Sequence, residues 1–174
     1  MIATMVNTPA TMPATSEATP DSPAKPRIAL GADHAGFRLK ETLKEMLHGD
    51  GYHCEDMGTT SEEPVDYPEF AAAVGERVAL GQCDLGVLVC GTGIGMGIAA
   101  NKVEGVRAAV AHSLETARLS REHNNANVIT MSGRLLADAE AIAMLREFLA
   151  TKFAGGRHQR RIDEITELDE ERIR

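Results

Sequence analysis

The chain has 174 residues, enough for one domain with a substantial core, and its hydrophobic share of 43% is typical of a globular protein. A formal net charge of -8 argues against nucleic acid or an anionic membrane as a partner, and an aromatic share of 3% leaves few rings to stack on bases. No apolar run approaches the roughly 18 residues needed to span a bilayer, and three cysteines without metal-ligand spacing favour a reduced, cytoplasmic chain.

The N-terminal segment differs in composition from the rest of the chain. Residues 1–26 hold five of the seven prolines and show no apolar periodicity, so we expect a disordered extension that carries no chemistry. The segment also lacks the basic start and apolar core of a signal peptide. Residues 27–174 are predicted to form a single domain with a C-terminal helical tail.

Strand and helix patterns alternate regularly from residue 27 onward. Apolar runs predict strands at residues 28–32, 52–57, 85–90, 106–111 and 128–131. Helical spacing predicts helices at residues 36–47, 70–80, 96–102, 113–121 and 137–153, with Gly81 capping the second helix and a loop between the prolines at 64 and 68. The alternation indicates an α/β fold, a single-domain Rossmann-like three-layer sandwich with a mostly parallel five-stranded sheet. In such sheets ligands bind beyond the carboxyl ends of the strands.

The most distinctive stretch follows the third predicted strand. Cys90 ends that strand, and glycines then stand at positions 91, 93, 95 and 97. Glycines let a ligand approach the main chain, and free N–H groups at a helix N-terminus bind anions. Such donors favour the thiolate form of a neighbouring cysteine, which can act as base or nucleophile. A buried, inert cysteine at a strand end is the alternative interpretation.

Two polar pairs flank other predicted strands. Asp33 and His34 directly follow the first strand, where the carboxylate could move protons between hydroxyl oxygens and the histidine could donate to an anion. Either residue could instead cap the helix that begins at residue 36. His123 and Asn124 precede the last strand; His123 could be a general acid or only a partner of the helix dipole, and Asn124 could only be a residue in a left-handed turn. His112, at the end of the fourth strand, is a rival candidate for the acid.

The C-terminal segment supplies the basic residues that an anionic ligand needs in an acidic chain. Arg157 and Arg161 are four residues apart, so on a helix they share a face and could grip a phosphate. Arg134 follows the last strand and is a third possible phosphate contact. The alternative is that these charges are solvated and balance the acidic tail that begins at Asp163.

Three known motifs are excluded by the residues after Cys90. A dinucleotide-binding fingerprint needs a glycine where Met96 or Ile98 stands, and a P-loop needs a lysine that the loop lacks. A cysteine-dependent phosphatase would have an arginine at the position of Met96.

Together the motifs resemble the ribose-5-phosphate isomerase B family of the RpiB/LacA/LacB sugar-phosphate isomerases. The resemblance extends from residue 27 to about residue 165. The matching motifs are Asp33-His34-Ala-Gly, Asp66-Tyr67-Pro68, Cys90-Gly-Thr-Gly-Ile-Gly, Ala99-Ala-Asn-Lys, Ser120-Arg-Glu-His123-Asn124 and Gly155-Gly-Arg157-His-Gln-Arg-Arg161.

The resemblance implies interconversion of ribose 5-phosphate and ribulose 5-phosphate by proton transfer between C1 and C2, without a metal or organic cofactor. It makes Cys90 the base, Asp33 the group that handles hydroxyl protons, His123 the acid that opens the furanose ring, and Thr92 an assisting hydroxyl. The N–H groups of the loop would hold the enediolate. Implied ligands of the enediolate and sugar are Gly91, Thr92, Gly93, Ile94, Gly95, Tyr67 and Asn124. Implied ligands of the phosphate are Arg157, Arg161, Arg134 and His34.

The resemblance also implies an active site built at a dimer interface, so we expect a homodimer or a dimer of dimers. A six-carbon substrate such as allose 6-phosphate or galactose 6-phosphate stays open, because discrimination between sugars one carbon apart is a modest energy difference. A non-catalytic sugar-phosphate-binding module is a further alternative, and it predicts binding without turnover.

Overall fold

The computed structural model describes residues 25–171, so the extension expected at residues 1–26 lies almost wholly outside the described residues. Five strands and six helices follow one another along this part of the chain. Their order is β1 Ile28–Ala32, α1 Phe37–Gly49, β2 Cys54–Asp56, α2 Tyr67–Ala79, β3 Leu85–Cys90, α3 Ile94–Ala100, β4 Ala108–Val110, α4 Leu114–Glu122, β5 Val128–Ser132, α5 Asp138–Ala150 and α6 Arg157–Glu171. No helix within residues 25–171 is long and apolar enough to cross a membrane.

The strands form one sheet in the order β2-β1-β3-β5-β4, and each pairing between neighbouring strands is parallel. The α/β prediction is therefore confirmed, and the sheet is parallel throughout rather than mostly so. The register aligns Ala32 of β1 with Val89 of β3, and Cys90 of β3 with Ser132 of β5. These pairings bring the ends of β1, β3 and β5 side by side.

The sheet is covered on both faces, as its continuous apolar strands require. Every residue of β1, β3 and β5 is buried. One face packs against α1, α4 and α5 through residues such as Leu43, Ala117 and Phe148. The other face packs against α2 and α3 through residues such as Val74 and Met96. The result is the expected three-layer sandwich.

Several predicted boundaries are wrong for local reasons. Helix α2 begins at Tyr67 instead of residue 70, because Pro68 stands in the first turn, where a missing N–H costs no hydrogen bond. Helix α3 begins at Ile94 instead of residue 96. Helix α5 ends at Ala150 instead of residue 153, since Thr151 is extended. The predicted cap is confirmed, because Gly81 has a left-handed φ of 66° just after α2.

Candidate active site

Three polar side chains form a row across the carboxyl ends of neighbouring strands. Asp33 follows β1, Cys90 ends β3 and Ser132 ends β5, and the strand registers place them next to one another. Because side chains alternate along a strand, Cys90 and Ser132 project toward the face covered by α2 and α3. Asp33 lies one residue beyond β1, and its carboxylate binds the start of α1. All three are buried, with Asp33 only 6% exposed and Cys90 5% exposed.

The Cys90 thiol is engaged by its own loop. The N–H of Gly93 donates to Sγ of Cys90 at 3.1 Å, and Gly93 takes a left-handed φ of 80° that a side chain would strain. The N–H of Ile94 donates to the hydroxyl of Thr92 at 3.3 Å. These two donors are used inside the loop, whereas the N–H groups of Gly91 and Thr92 make no hydrogen bond among the described residues. The loop therefore donates one N–H to the sulfur and still offers two donors to a ligand.

The turn after β5 lies against this loop. The hydroxyl of Ser132 donates to the carbonyl of Gly91 at 2.7 Å, and the N–H of Gly133 donates to the carbonyl of Cys90 at 2.8 Å. A Cβ added at Gly91 would lie 3.4 Å from the guanidinium of Arg134, so that cation lies over the start of the loop. Arg134 thus joins Cys90 at the same edge of the sheet.

The turn after β1 completes this edge. Asp33 Oδ1 accepts the N–H of Gly36 at 2.9 Å, but Gly36 is itself the N-cap of α1, and no side chain among the described residues caps that helix. The alternative interpretation, that Asp33 or His34 is the cap, is therefore wrong. His34 Nδ1 lies 3.2 Å from both the N–H and the carbonyl oxygen of Val65, which leaves Nε2 for another partner. Asp33 and His34 therefore fix the turn after β1 against the start of α1 and against Val65.

The start of α2 reaches the same edge. A Cβ added at Gly95 would lie only 2.8 Å from the Tyr67 ring, so this ring packs directly on the backbone of α3. Tyr67 is nevertheless 40% exposed. We call the residues gathered at this edge the cysteine cluster; its members are Asp33, His34, Tyr67, Cys90, Gly91, Thr92, Gly93, Ile94, Gly95 and Arg134.

The remaining predicted site residues lie at the opposite edge of the sheet. His123 is the C-cap of α4, and the next strand, β5, begins at Val128. Helix α4 therefore runs from the carboxyl edge back to the amino edge, and His123 and Asn124 lie where β5 starts. A cavity of about 270 Å³ opens beside Asn124, lined in part by Asn101 and Arg107. His112, the rival candidate for the acid, is exposed at the carboxyl end of β4.

Helix α6 meets this second group of residues. The N–H of Ala154 donates to the carbonyl of Glu122 at 2.9 Å, which brings the start of α6 to the end of α4. The imidazole of His158 then stacks on that of His123, with ring centroids 4.3 Å apart and ring planes 8° apart. Burial, and after it the charges of His123, Arg157 and Arg161, lower the pKa of His158. We call this the histidine-arginine cluster; its members are His123, Asn124, Arg157, His158 and Arg161.

The two clusters do not meet within one chain. The five residues of β5 separate its two edges by roughly 16 Å, at about 3.3 Å per residue. A general acid or base must come within about 3 Å of the atom it serves. Cys90 and His123 of the same chain are therefore too far apart to act on one small substrate.

Two residues at these clusters, Ser132 beside the first and His158 in the second, were not predicted as site residues. Ser132 touches the Cys90 loop, and His158 stacks on His123. His158 belongs to the Gly155–Arg161 motif but was not assigned a role in the site. Both contacts join segments more than 30 residues apart in sequence, so no local pattern indicates them. Within residues 25–171, no group of three or more His, Cys, Asp or Glu side chains could hold a metal ion.

Comparison with known proteins shows the family of this chain. The sequence matches the family described as Ribose/Galactose Isomerase over residues 28–165. Ribose-5-phosphate isomerase B of Escherichia coli strain K12 is 42% identical over 146 residues, covering 84% of this chain and 98% of that protein. The structure of ribose-5-phosphate isomerase B from Clostridium thermocellum is 43% identical with a TM-score of 0.82, covering 83% of this chain and 98% of that one.

A second solved structure contains a ligand. It is ribose-5-phosphate isomerase B from Mycoplasma genitalium with bound ribulose-5-phosphate, 44% identical with a TM-score of 0.80, and the match covers 83% of this chain and 97% of that one. Sequence and fold thus agree over nearly the whole length of these relatives. The chain belongs to the ribose/galactose isomerase family.

Proposed function

We propose that this chain is an aldose-ketose isomerase that interconverts D-ribose 5-phosphate and D-ribulose 5-phosphate. The observation that carries the proposal is the Cys90 thiol, which accepts the Gly93 N–H at 3.1 Å and lies one strand away from the Asp33 carboxylate. A base next to a proton shuttle and free main-chain donors suits proton transfer through an enediolate. The relative that binds ribulose-5-phosphate supports the same substrate.

The proposed reaction moves one proton between two carbons. The Cys90 thiolate takes the proton from C2 of the open-chain aldose, and the electron pair of that C–H bond forms the C1–C2 double bond of an enediolate. The same thiol then returns the proton to C1, which yields the ketose. Asp33 carries the hydroxyl proton from O2 to O1, so no atom is gained or lost. These steps need no cofactor, because side-chain and backbone groups supply every proton acceptor and donor.

The enediolate carries negative charge on oxygen, and the loop offers donors for it. The N–H groups of Gly91 and Thr92 are the available main-chain donors, and the Thr92 hydroxyl assists them. Removing one such donor typically costs a hundredfold or more in rate. Gly93, Ile94 and Gly95 shape the rest of the loop around the substrate.

Side chains of both clusters open the ring, bind the phosphate and contact the sugar. His123 protonates the ring oxygen and opens the furanose, since imidazole is the side chain that most often acts as a general acid. Arg157, Arg161, Arg134 and His34 bind the phosphate, while Tyr67 and Asn124 contact the sugar. Arg157 and Arg161 lie one turn apart on α6 and are both exposed, so their guanidinium groups can approach one phosphate together.

We further propose a homodimer or a dimer of dimers in which the cysteine cluster of one chain faces the histidine-arginine cluster of another. The separation of these clusters within one chain supports this proposal. An apolar patch beside the cysteine cluster is a suitable contact surface, because Ile94 is 54%, Ile98 60% and Val110 40% exposed. The three free cysteines fit a reducing compartment, so we propose the cytoplasm as the location.

A second candidate keeps the chemistry and changes the sugar. The family is described by both ribose and galactose, so a six-carbon substrate such as allose 6-phosphate or galactose 6-phosphate is the alternative. Turnover of ribose 5-phosphate and of both hexose phosphates by wild type and Cys90→Ser separates these possibilities. We expect pentose turnover that Cys90→Ser nearly abolishes. Turnover of a hexose phosphate alone would identify a six-carbon sugar phosphate as the substrate. Binding without turnover would indicate a non-catalytic binding module. Full activity of Cys90→Ser would refute the role of Cys90 as the base.

The assembly is tested separately by analytical ultracentrifugation of active enzyme. We expect a dimer or tetramer at concentrations where the protein turns over substrate. A fully active monomer would refute the shared site.

A further inference from the structure

The side chain of Ser132 joins the two turns that border the cysteine cluster. Its hydroxyl donates to the carbonyl of Gly91 at 2.7 Å and accepts the N–H groups of Leu135 at 2.9 Å and Arg134 at 3.3 Å. Ser132 is 5% exposed, so water does not substitute readily for these bonds. One hydroxyl therefore fixes the start of the Cys90 loop against the turn that carries Arg134.

The bond to Gly91 determines where the next N–H points. The peptide group between Gly91 and Thr92 is planar and trans, so its C=O and N–H point in opposite directions. Because the Gly91 carbonyl points toward the Ser132 hydroxyl, the Thr92 N–H points away from Ser132. Gly133 acts in the same way one residue earlier: its N–H binds the Cys90 carbonyl, so the Gly91 N–H points away from Gly133.

We propose that Ser132 is a positioning residue for the isomerisation: it aims the Thr92 N–H at the oxygen that becomes negative in the enediolate. The inference rests on the proposed function. Ser132 itself touches neither the substrate nor the reacting carbons. It acts by holding the Gly91–Thr92 peptide in one orientation, and a preorganised donor stabilises the transition state more than the bound sugar.

The test compares Ser132→Ala with Thr130→Val. Thr130 lies two residues earlier on the same face of β5, is fully buried, and its hydroxyl makes no hydrogen bond within the described part of the chain. Both substitutions remove one buried hydroxyl from one strand face, but only Ser132→Ala frees the Gly91 peptide. We expect Ser132→Ala to lower kcat about 10- to 100-fold, because a misaligned donor loses part of its catalytic effect. KM should stay within about threefold in Ser132→Ala, and both constants should stay near wild type in Thr130→Val.

A further readout separates positioning from general damage to the loop. The rate at which iodoacetamide alkylates Cys90 should have the same pH profile in Ser132→Ala and wild type, because the Gly93 N–H still donates to the thiol. A hydroxamate mimic of the enediolate should lose affinity by the same factor as kcat/KM. If Ser132→Ala does not fold, Ser132→Cys carries the test, because its weak S–H donor predicts a kcat below that of wild type.

The results that would refute the role of Ser132 differ from those that would refute the proposed function. Absence of sugar-phosphate turnover in the wild type would refute the proposed function. With an active wild type, an unchanged kcat in Ser132→Ala would overturn the inference. An equal loss in Thr130→Val, a loss confined to KM, or a shifted alkylation profile would also overturn it.

Discussion

Gly36 lies beside the cysteine cluster, where the start of α1 packs against the end of β3, so Gly36→Ala should damage both stability and activity. Gly36 is the N-cap of α1, and a Cβ there would lie 2.3 Å from the carbonyl oxygen of Val89. That oxygen already accepts the N–H of Asp33 at 3.2 Å, so β3 cannot move away alone. Restoring a normal contact of about 3.5 Å requires a shift of roughly 1 Å at the start of α1.

The expected magnitudes follow from this shift. Overpacking of this kind costs about 1–3 kcal/mol, which lowers Tm by roughly 2–12 °C in a domain of this size. The Gly36 N–H also orients the Asp33 carboxylate at 2.9 Å, and a displacement of about 1 Å in an active site costs about 100-fold in kcat/KM. Thermal unfolding followed by circular dichroism and isomerisation kinetics measure the two effects.

Gly49→Ala is the matched control for this prediction. Gly49 is the last residue of the same helix, and a Cβ there meets nothing within 4 Å. Its replacement should leave kcat/KM unchanged and raise stability by at most about 1 kcal/mol, because alanine favours helices more than glycine does. The steric reasoning fails if Gly36→Ala and Gly49→Ala have the same Tm and the same kcat/KM.

Two further predictions concern buried charge. Lys40 is fully buried with Nζ 2.7 Å from both oxygens of Asp56, so Lys40→Met should lower the free energy of unfolding in urea by about 3 kcal/mol. Lys44→Met, which removes the more exposed partner of Asp56, should lower the free energy of unfolding by only about 1 kcal/mol. Equal losses for Lys40→Met and Lys44→Met would contradict the importance of burial. The pKa of His158 is lower in the folded chain than in the unfolded chain, so the unfolded chain binds a proton more readily. The contribution of His158 to the free energy of unfolding is therefore fully present above about pH 6.5 and is lost as the pH falls below that value. His158→Phe keeps a ring against His123 and should weaken this pH dependence in urea titrations, whereas an unaltered dependence would refute it.

The sequence predicts the strands well because each is a short apolar run between polar or glycine positions. The continuous run before Cys90 indicates a strand buried on both faces, and β3 is buried along its whole length. That assignment leads to a parallel sheet whose ligands bind at the carboxyl ends of the strands, and it places Asp33 beside Cys90. Helix ends are less accurate, as Tyr67 shows, because one proline is compatible with either a loop or a first helical turn.

The division of the site into two clusters depends on contacts that local patterns do not contain. His123 reaches the amino edge because α4 returns across the sheet, and His158 reaches His123 only after α5 and a turn. The role of Ser132 depends on β5 lying next to β3, two strands that are separated in sequence by α3, β4 and α4. The burial of Lys40 likewise depends on Asp56 from the neighbouring strand. Tertiary pairing determines these features.

The central claim is that Cys90 of one chain acts with His123 of another, and subunit complementation tests it most directly. Cys90→Ser and His123→Ala should each reduce turnover of ribose 5-phosphate about 100-fold or more. After mixing, dissociation and reassociation in equal amounts, half of the dimers are mixed and each contains one intact site, so about a quarter of wild-type activity should return. Activity that stays at the mean of the two separate variants would show that both residues act within one chain, and it would contradict the account.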